Sequence, residues 1–194
     1  RLSFRNVMYD DVYSIIDASL NNFPPTNNIL GQYKEEGLSE WNDIQYINDL
    51  DFFKYQEKII LERSGKLDPD SIEEYIVNGG YKAMAKVLTQ KTSAQVCDII
   101  TQSKLKGRSG SGYLTGNKWK AGLEQKGQQK YFICNADESD PGSFVDRTIA
   151  ESDPHLVLEG LIIGSYAVNA NNAIIYIRNR YTKAIQKLEK AIES

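Results

Sequence analysis

Two clusters of residues in this sequence have the types and spacing to do chemistry. The first is a glycine-rich run, GRSGSGYLTG from Gly107 to Gly116, followed by Asn117, Lys118 and Trp119. Small residues at Ser109, Gly110, Ser111 and Gly112 let the backbone come close to a ligand, and successive N–H groups in such a loop can converge on a phosphate. Arg108 and Lys118 add positive charge. The run is not a P-loop, which needs Lys and then Ser or Thr after its second glycine, where Tyr113 stands here. It also departs from the dinucleotide fingerprint, which follows a strand and opens a helix. The segment before this loop reads as a helix. A solvated surface loop is the alternative for such a stretch on its own.

The second cluster is CNADESDPGSF, from Cys134 to Phe144. It follows an apolar run that reads as a strand, so it falls at the strand's C-terminal end, where open α/β sheets bind ligands. Asp137, Glu138 and Asp140 crowd negative charge into a short turn and repel one another unless something there uses them. Asn135 both donates and accepts hydrogen bonds. A planar heteroaromatic ring with alternating N–H and C=O groups, or a chain of hydroxyls, suits this set. A capped turn of solvated acids is the alternative. No His or Cys joins the acids at ligand spacing, which disfavours a metal.

The elements that must position these clusters change character along the chain. Asp10 and Asp11 precede Val12, Ile15, Ile16 and Leu20, the spacing of one apolar helix face. Residues 21–48, rich in Asn, Pro, Gly and charge, read as mostly loop, and Gln56 to Leu61 as a short strand. Asp68-Pro69 opens a helix that Gly79-Gly80 closes. Tyr81 to Leu88 and Ser93 to Ser103 are further helices, the latter capped by Thr92 or Ser93. Beyond the glycine run, Tyr131 to Asn135 is a strand, and Asp153-Pro154 caps a helix through Val168. Ala173 to Arg178 is a second strand, and Thr182 caps a last amphipathic helix. Strand, helix, strand, helix predicts an α/β fold with a partly parallel, Rossmann-like sheet behind a helical N-terminal arm. The expected organisation is an arm and loop over 1–50, a helical lead-in over 51–106, and the first part of an α/β binding domain over 107–194.

Composition narrows the classes. A net charge of −3 over 194 residues leaves no basic footprint for nucleic acid or an anionic membrane. Cys97 and Cys134 lie too far apart for a metal-ligand pair, and two cysteines cannot hold a four-cysteine cluster. Nothing suggests a secreted disulfide scaffold. The longest apolar stretch, Leu156 to Val168, contains Glu159 and is too short to span a bilayer. The expected location is a reducing, cytoplasmic one. The absence of an initial Met and the helix running to Ser194 suggest a fragment of a longer chain.

Taken together and in order, the motifs resemble a known family: the FMN-bearing, NADH-oxidising subunits of respiratory complex I and of NAD-linked hydrogenases and formate dehydrogenases. That family carries runs like GRGGAGFPTGxKW, CNADExEPGxFxDR, DPHLxxEG and IYIRxEY. Here they read GRSGSGYLTGNKW, CNADESDPGSFVDR, DPHLVLEG and IYIRNRY. The resemblance runs from about Ile59 to the end, and LDPDSIEEYIVNGGYKAMAKVL looks most like the hydrogenase-type members. It implies that Gly107, Arg108, Gly110 and Gly112 wrap the FMN phosphate, with Lys118 on the flavin. It implies that Asn135, Asp137 and Glu138 bond the ribityl chain and ring, that Tyr113 stacks on NADH, and that Asp140 lies beside the nicotinamide. No side chain need act as acid or base, because the chemistry is the cofactor's. The implied partners are iron–sulfur subunits, with a 4Fe-4S cluster held by cysteines beyond Ser194.

Three departures support a second reading, a non-catalytic assembly module of the same fold. Ser109 replaces a glycine, Leu114 a proline, and Ala121 a Phe of the adenine stack, whose loss is worth on the order of 0.5–1.5 kcal/mol. Elsewhere structural roles are expected. His155 packs at a helix start, Cys134 packs as a small apolar side chain, Trp119 belongs to the core, and Gly160 and Gly164 permit close helix packing.

Overall fold

The computed structural model describes residues 1–23, 28–34, 37, 39–108, 110–127, 129–140 and 142–194. They divide into two compact units, Arg1–Ile59 and Ile60–Ser194.

In the first unit, strands β1 (Leu2–Phe4) and β2 (Ile29–Gln32) pair antiparallel around helix α1 (Tyr9–Leu20). The Asp11 carboxylate caps α1 by accepting from the Met8 amide at 2.8 Å. The helix forms where expected, but Val12, Ile16 and Leu20 stay exposed and Ala18 is its buried residue. The stretch expected to be mostly loop contains β2 and the start of a 3-10 turn, Ile47–Asp49. Its residues 24–27, 35, 36 and 38 lie outside the described ones. One side chain ties the segment together. Buried Gln32 donates to the Trp41 and Ile44 carbonyls and accepts from the Trp41 amide, adding side-chain bonds to the backbone bridge that it makes with Tyr46.

In the second unit, helices α2 (Ile72–Val77), α3 (Lys82–Gln90), α4 (Ser93–Gln102) and α5 (Thr115–Glu124) precede strand β3 (Tyr131–Ala136). Helices α6 (Val145–Ser152) and α7 (Pro154–Val168), strand β4 (Asn172–Ile177) and helix α8 (Thr182–Glu193) follow. Strands β3 and β4 are parallel and in register from Tyr131↔Asn172 to Ala136↔Ile177. The unit is mixed α/β with a small parallel sheet, as the segment order predicted. The lead-in helices belong to the same compact unit as the residues after Gly107.

Some boundaries move. Gln56 to Leu61 is irregular chain leading into a turn, with Ile59 exposed, and no strand pairs with it among the described residues. Asp68 and Pro69 make a turn in which the Asp68 carboxylate accepts from the Asp70 amide, and α2 starts later, capped by Ser71 accepting from the Glu74 amide. Helices α5 and α6 have no counterpart among the expected elements.

Helix α7 is the spine. Asp153 caps it by accepting from the Leu156 amide, Pro154 fills its first turn, and buried residues occur on several of its faces. A helix apolar all round is a core helix. One end packs Leu158 and Leu161 under Phe132, Cys134 and Ile175, and the other packs Ala167 against Val96 and Cys97. Gly164 is needed here: a Cβ would lie 2.3 Å from the Phe132 ring. Gly160 has open space around it, so the expected close packing holds at Gly164 and not at Gly160.

A buried polar network fastens α2 and α3 to α7. Glu159 accepts from the Tyr75 hydroxyl (2.7 Å) and from the Tyr81 and Met84 amides (3.0 and 3.1 Å), so it caps α3 from outside. These bonds hold Tyr81 in the left-handed region, at φ 59°, where a bulky residue is disfavoured. His155 sits beside Tyr75 and Tyr81 with its Nδ1 2.9 Å from the Tyr81 hydroxyl, and Arg63 pairs with Asp153 at 2.8 Å. His155 is therefore a packing residue at the helix start, as expected. No helix among the described residues is long and apolar enough to cross a membrane.

Candidate functional site

Lys130, just before β3, sets the direction of the helices that carry the site. Its ammonium donates to the Gly122 and Leu123 carbonyls at 2.9 Å each and to the Val168 carbonyl at 3.1 Å. One cation thus serves the C-terminal ends of α5 and α7, where helix dipoles favour positive charge. Further along both elements, Trp119 of α5 meets Phe132 of β3 edge to face at 5.9 Å. These two contacts, taken in order, make α5 run antiparallel to β3. The α5 N-terminus, with the glycine loop before it, therefore lies toward the C-terminal edge of the sheet. The CNADE turn begins at that same edge. Trp119 is a core residue, as expected.

The glycine loop is closed at its base. Lys106 and Leu114 face each other in an isolated antiparallel bridge, with the Gly107 amide on the Tyr113 carbonyl and the Thr115 amide on the Leu105 carbonyl, both 2.9 Å. Leu114 has φ −66°, the value that a proline ring would impose, so the loop holds its form without the ring. Gly112 takes φ +56°. Around Gly110 and Gly112 there is open space, and α5 starts without a side-chain cap. The loop therefore opens a helix N-terminus, which favours an anion. Arg108, Gly110 and Lys118 are exposed, and so is Tyr113, at 54%. Ser109 lies outside the described residues. Gly116 serves packing: its Cβ would lie 2.4 Å from Thr101 Oγ1, so it seats α5 on α4.

The three acids of the turn go separate ways, which removes their mutual repulsion. Asp137 pairs with Arg178 at 3.1 Å and accepts from the Ser139 hydroxyl. The Arg178 hydrogen bond, opposed by partial burial and helped by Ser139, holds the Asp137 carboxyl below its ordinary value. Glu138 is buried against the start of α6. It accepts from the Ser143 hydroxyl and from the Val145, Asp146 and Arg147 amides, making it the cap of α6. Burial pushes its carboxyl up, but the Ser143 hydroxyl and the three amides outweigh burial, and the net shift is downward. The expectation that Glu138 reaches a flavin meets a side chain already committed to four donors. Asp140 is exposed, its carbonyl accepting from the Ser143 amide and hydroxyl. Asn135 is exposed at the edge and uses its side-chain oxygen to accept from the Asp137 amide at 3.2 Å. The wrap around Glu138 forces Phe144, before α6, to φ 49°, a strained value for a bulky residue. Cys134 packs on the helix side, and burial raises its thiol.

Sequence alone assigns no role to Arg178 or Lys130. Arg178 could have been found from register: it follows Ile177 as Asp137 follows Ala136, and those two residues are partners. Lys130 carries no local signal, since its three acceptors are brought together only by packing.

Residues 100–194 match the family model described as the Nuo51 FMN-binding domain. The chain is 48% identical over 140 residues to the NADP-reducing hydrogenase subunit HndC of Solidesulfovibrio fructosivorans, covering 72% of this chain and 28% of that protein. It is 48% identical over 135 residues to an NADH-quinone oxidoreductase subunit of Aquifex aeolicus (strain VF5), covering 70% of this chain and 31% of that protein. The chain thus spans about a third or less of the length of these relatives. Among solved structures, an NAD+-reducing NiFe-hydrogenase in the air-oxidized state shares the fold with a TM-score of 0.56 and 21% identity, over 98% of this chain and 29% of that one.

Proposed function

We propose that this chain, whose residues 100–194 match the family model described as the Nuo51 FMN-binding domain, is part of a flavoprotein subunit that binds FMN, oxidises NADH and passes electrons singly to iron–sulfur clusters. The observation that carries the reading is an uncapped helix N-terminus behind a glycine loop, directed toward the sheet edge at which a turn of polar groups follows β3. The residues fit the cofactor. Amides of Arg108, Gly110 and Gly112 and the α5 N-terminus would hold the phosphate, with Arg108 and Lys118 supplying charge, while Gly107, its amide on the Tyr113 carbonyl, closes the base of the loop. Asn135 and Asp137 retain free hydrogen-bonding capacity for ribityl hydroxyls and ring edges. Glu138 serves by shaping the turn through α6. Bound FMN would supply the two-electron to one-electron conversion that links a hydride donor to a cluster.

The chain's own part is binding and alignment. The exposed Tyr113 ring offers an aromatic face on which NADH stacks, and Asp140 lies in the same turn region as a polar contact for the nicotinamide. Stacking fixes the distance between reacting rings, which is where a rigid site contributes most to rate. The partners in this reading are iron–sulfur subunits of a multi-subunit oxidoreductase of hydrogenase, formate dehydrogenase or complex I type. The 4Fe-4S ligands would lie in the part of the relatives beyond the matched region.

The test uses the full-length protein, purified and supplied with FMN. Flavin absorbance that copurifies and bleaches on NADH addition supports the reading. A folded protein that neither binds FMN nor bleaches sinks it and leaves the non-catalytic assembly module.

A further inference from the structure

The side chains that touch a cofactor are only as well placed as the groups behind them. Asp137 stands where β3 ends, with no helix or strand of its own to fix its rotamer. Three groups hold it. Its amide is tied to Asn135 Oδ1, its Oδ2 accepts from Ser139 Oγ, and its Oδ1 accepts from Arg178 Nε. Asn135, near the end of β3, and Ser139, just beyond it, are both exposed. Arg178 is different in kind: it comes from the end of β4, and the parallel register places it beside Asp137. Each side chain of the pair is only 25% exposed, so water competes weakly for the bond. The link also joins the end of β3 to the end of β4.

We propose that Arg178 is a positioning residue of the flavin site, acting through Asp137 to hold that carboxylate in the orientation that meets the cofactor. This rests on the reading that the edge binds FMN. One Asp137 oxygen is oriented by the guanidinium while lone pairs on both oxygens stay available to a ligand hydroxyl or N–H. The guanidinium also balances the carboxylate's charge, so the edge can take a phosphorylated ligand without adding to an uncompensated anion. Arg180 lies near enough to act on Asp137 in the same direction without bonding it.

The experiment is a double-mutant cycle in the full-length protein, reading FMN dissociation by flavin fluorescence and flavin midpoint potential. Arg178→Gln is expected to weaken FMN binding about three- to tenfold, the range for losing one partly buried charged hydrogen bond. Arg178→Lys, which keeps charge and a donor, should recover most of that loss. In the Asp137→Asn background the same Arg178→Gln change should cost less than about twofold, because partners in one network are non-additive. The potential should fall in Arg178→Gln and stay nearer the wild-type value in Arg178→Lys. Equal losses in both backgrounds, or no loss in either, would overturn the proposal. Wild-type protein that binds no FMN would defeat the function itself, a separate outcome visible before any variant is made.

Discussion

Two glycines in adjacent parts of this fold should respond oppositely to the same one-carbon change. Gly116 lies in the first turn of α5, and a Cβ there would sit 2.4 Å from Thr101 Oγ1 and 2.5 Å from both Thr101 N and Thr101 Cα. Two of those atoms are backbone and cannot rotate away. Since carbon contacts settle at about 3.5–4.0 Å, α5 must withdraw from α4 by roughly 1 Å. Overpacking of this kind costs about 1–3 kcal/mol, and the helix-propensity gain of Gly→Ala, at most ~1 kcal/mol and smaller in a first turn, offsets only part of it. Gly116→Ala should therefore lose about 1–2 kcal/mol. Gly160 sits inside α7 with nothing within 4 Å of its Cβ position, so Gly160→Ala should gain about 0.5–1 kcal/mol. Denaturant titration followed by circular dichroism should place the two variants on opposite sides of the wild type. At roughly 2–8 °C per kcal/mol, heat should separate them clearly as well. A Gly116→Ala protein as stable as the wild type would refute the claimed α4–α5 contact, and with it the argument that Gly116 seats the helix behind the loop.

Lys130→Met keeps the apolar stem and removes three donors from the ends of α5 and α7. It should cost about 1–3 kcal/mol, because partly buried carbonyls lose a charged partner, and an unchanged unfolding midpoint would count against the direction assigned to α5. A pH effect should come from His155. Burial holds its imidazole below the ordinary value, against the opposing pull of Asp153 and Glu73. In the unfolded chain the same group takes up its proton near pH ~6.5. The unfolded state then binds more protons, so the stability that His155 contributes is intact above that pH and is lost as pH falls below it. Comparing midpoints at neutral pH and one to two units lower, His155→Gln should flatten the decline; an unaltered slope would rule His155 out as its source.

Much of this molecule was legible in its residues because the signals were local. The Thr92 cap, the Asp153-Pro154 start and the two apolar strand runs depend on neighbours within a few positions, and each became the element expected. The order of the motifs also carried the family resemblance. Helices α5 and α6 were not legible. TGNKWKAGLE contains two glycines and an asparagine, poor helix formers, and is helical because Trp119 and Leu123 pack against the core around Val96, Cys97 and Ala167. The first turn of α6 is held by Glu138, seven to nine residues before the amides that it caps, a reach no helical spacing encodes.

What the sequence by itself determined was which chemical groups exist, in what order, and which short segments are stiff enough to declare their form. Tertiary structure decided which of those groups are left for a ligand. Asp137, Glu138 and Asp140 look equivalent in the chain. Parallel pairing brings Arg178 to the first, the α6 amides claim the second, and the third remains exposed. Charge and spacing are properties of residues, whereas the partner that claims a charge depends on where distant backbone passes, and that is settled only when the core around α7 closes.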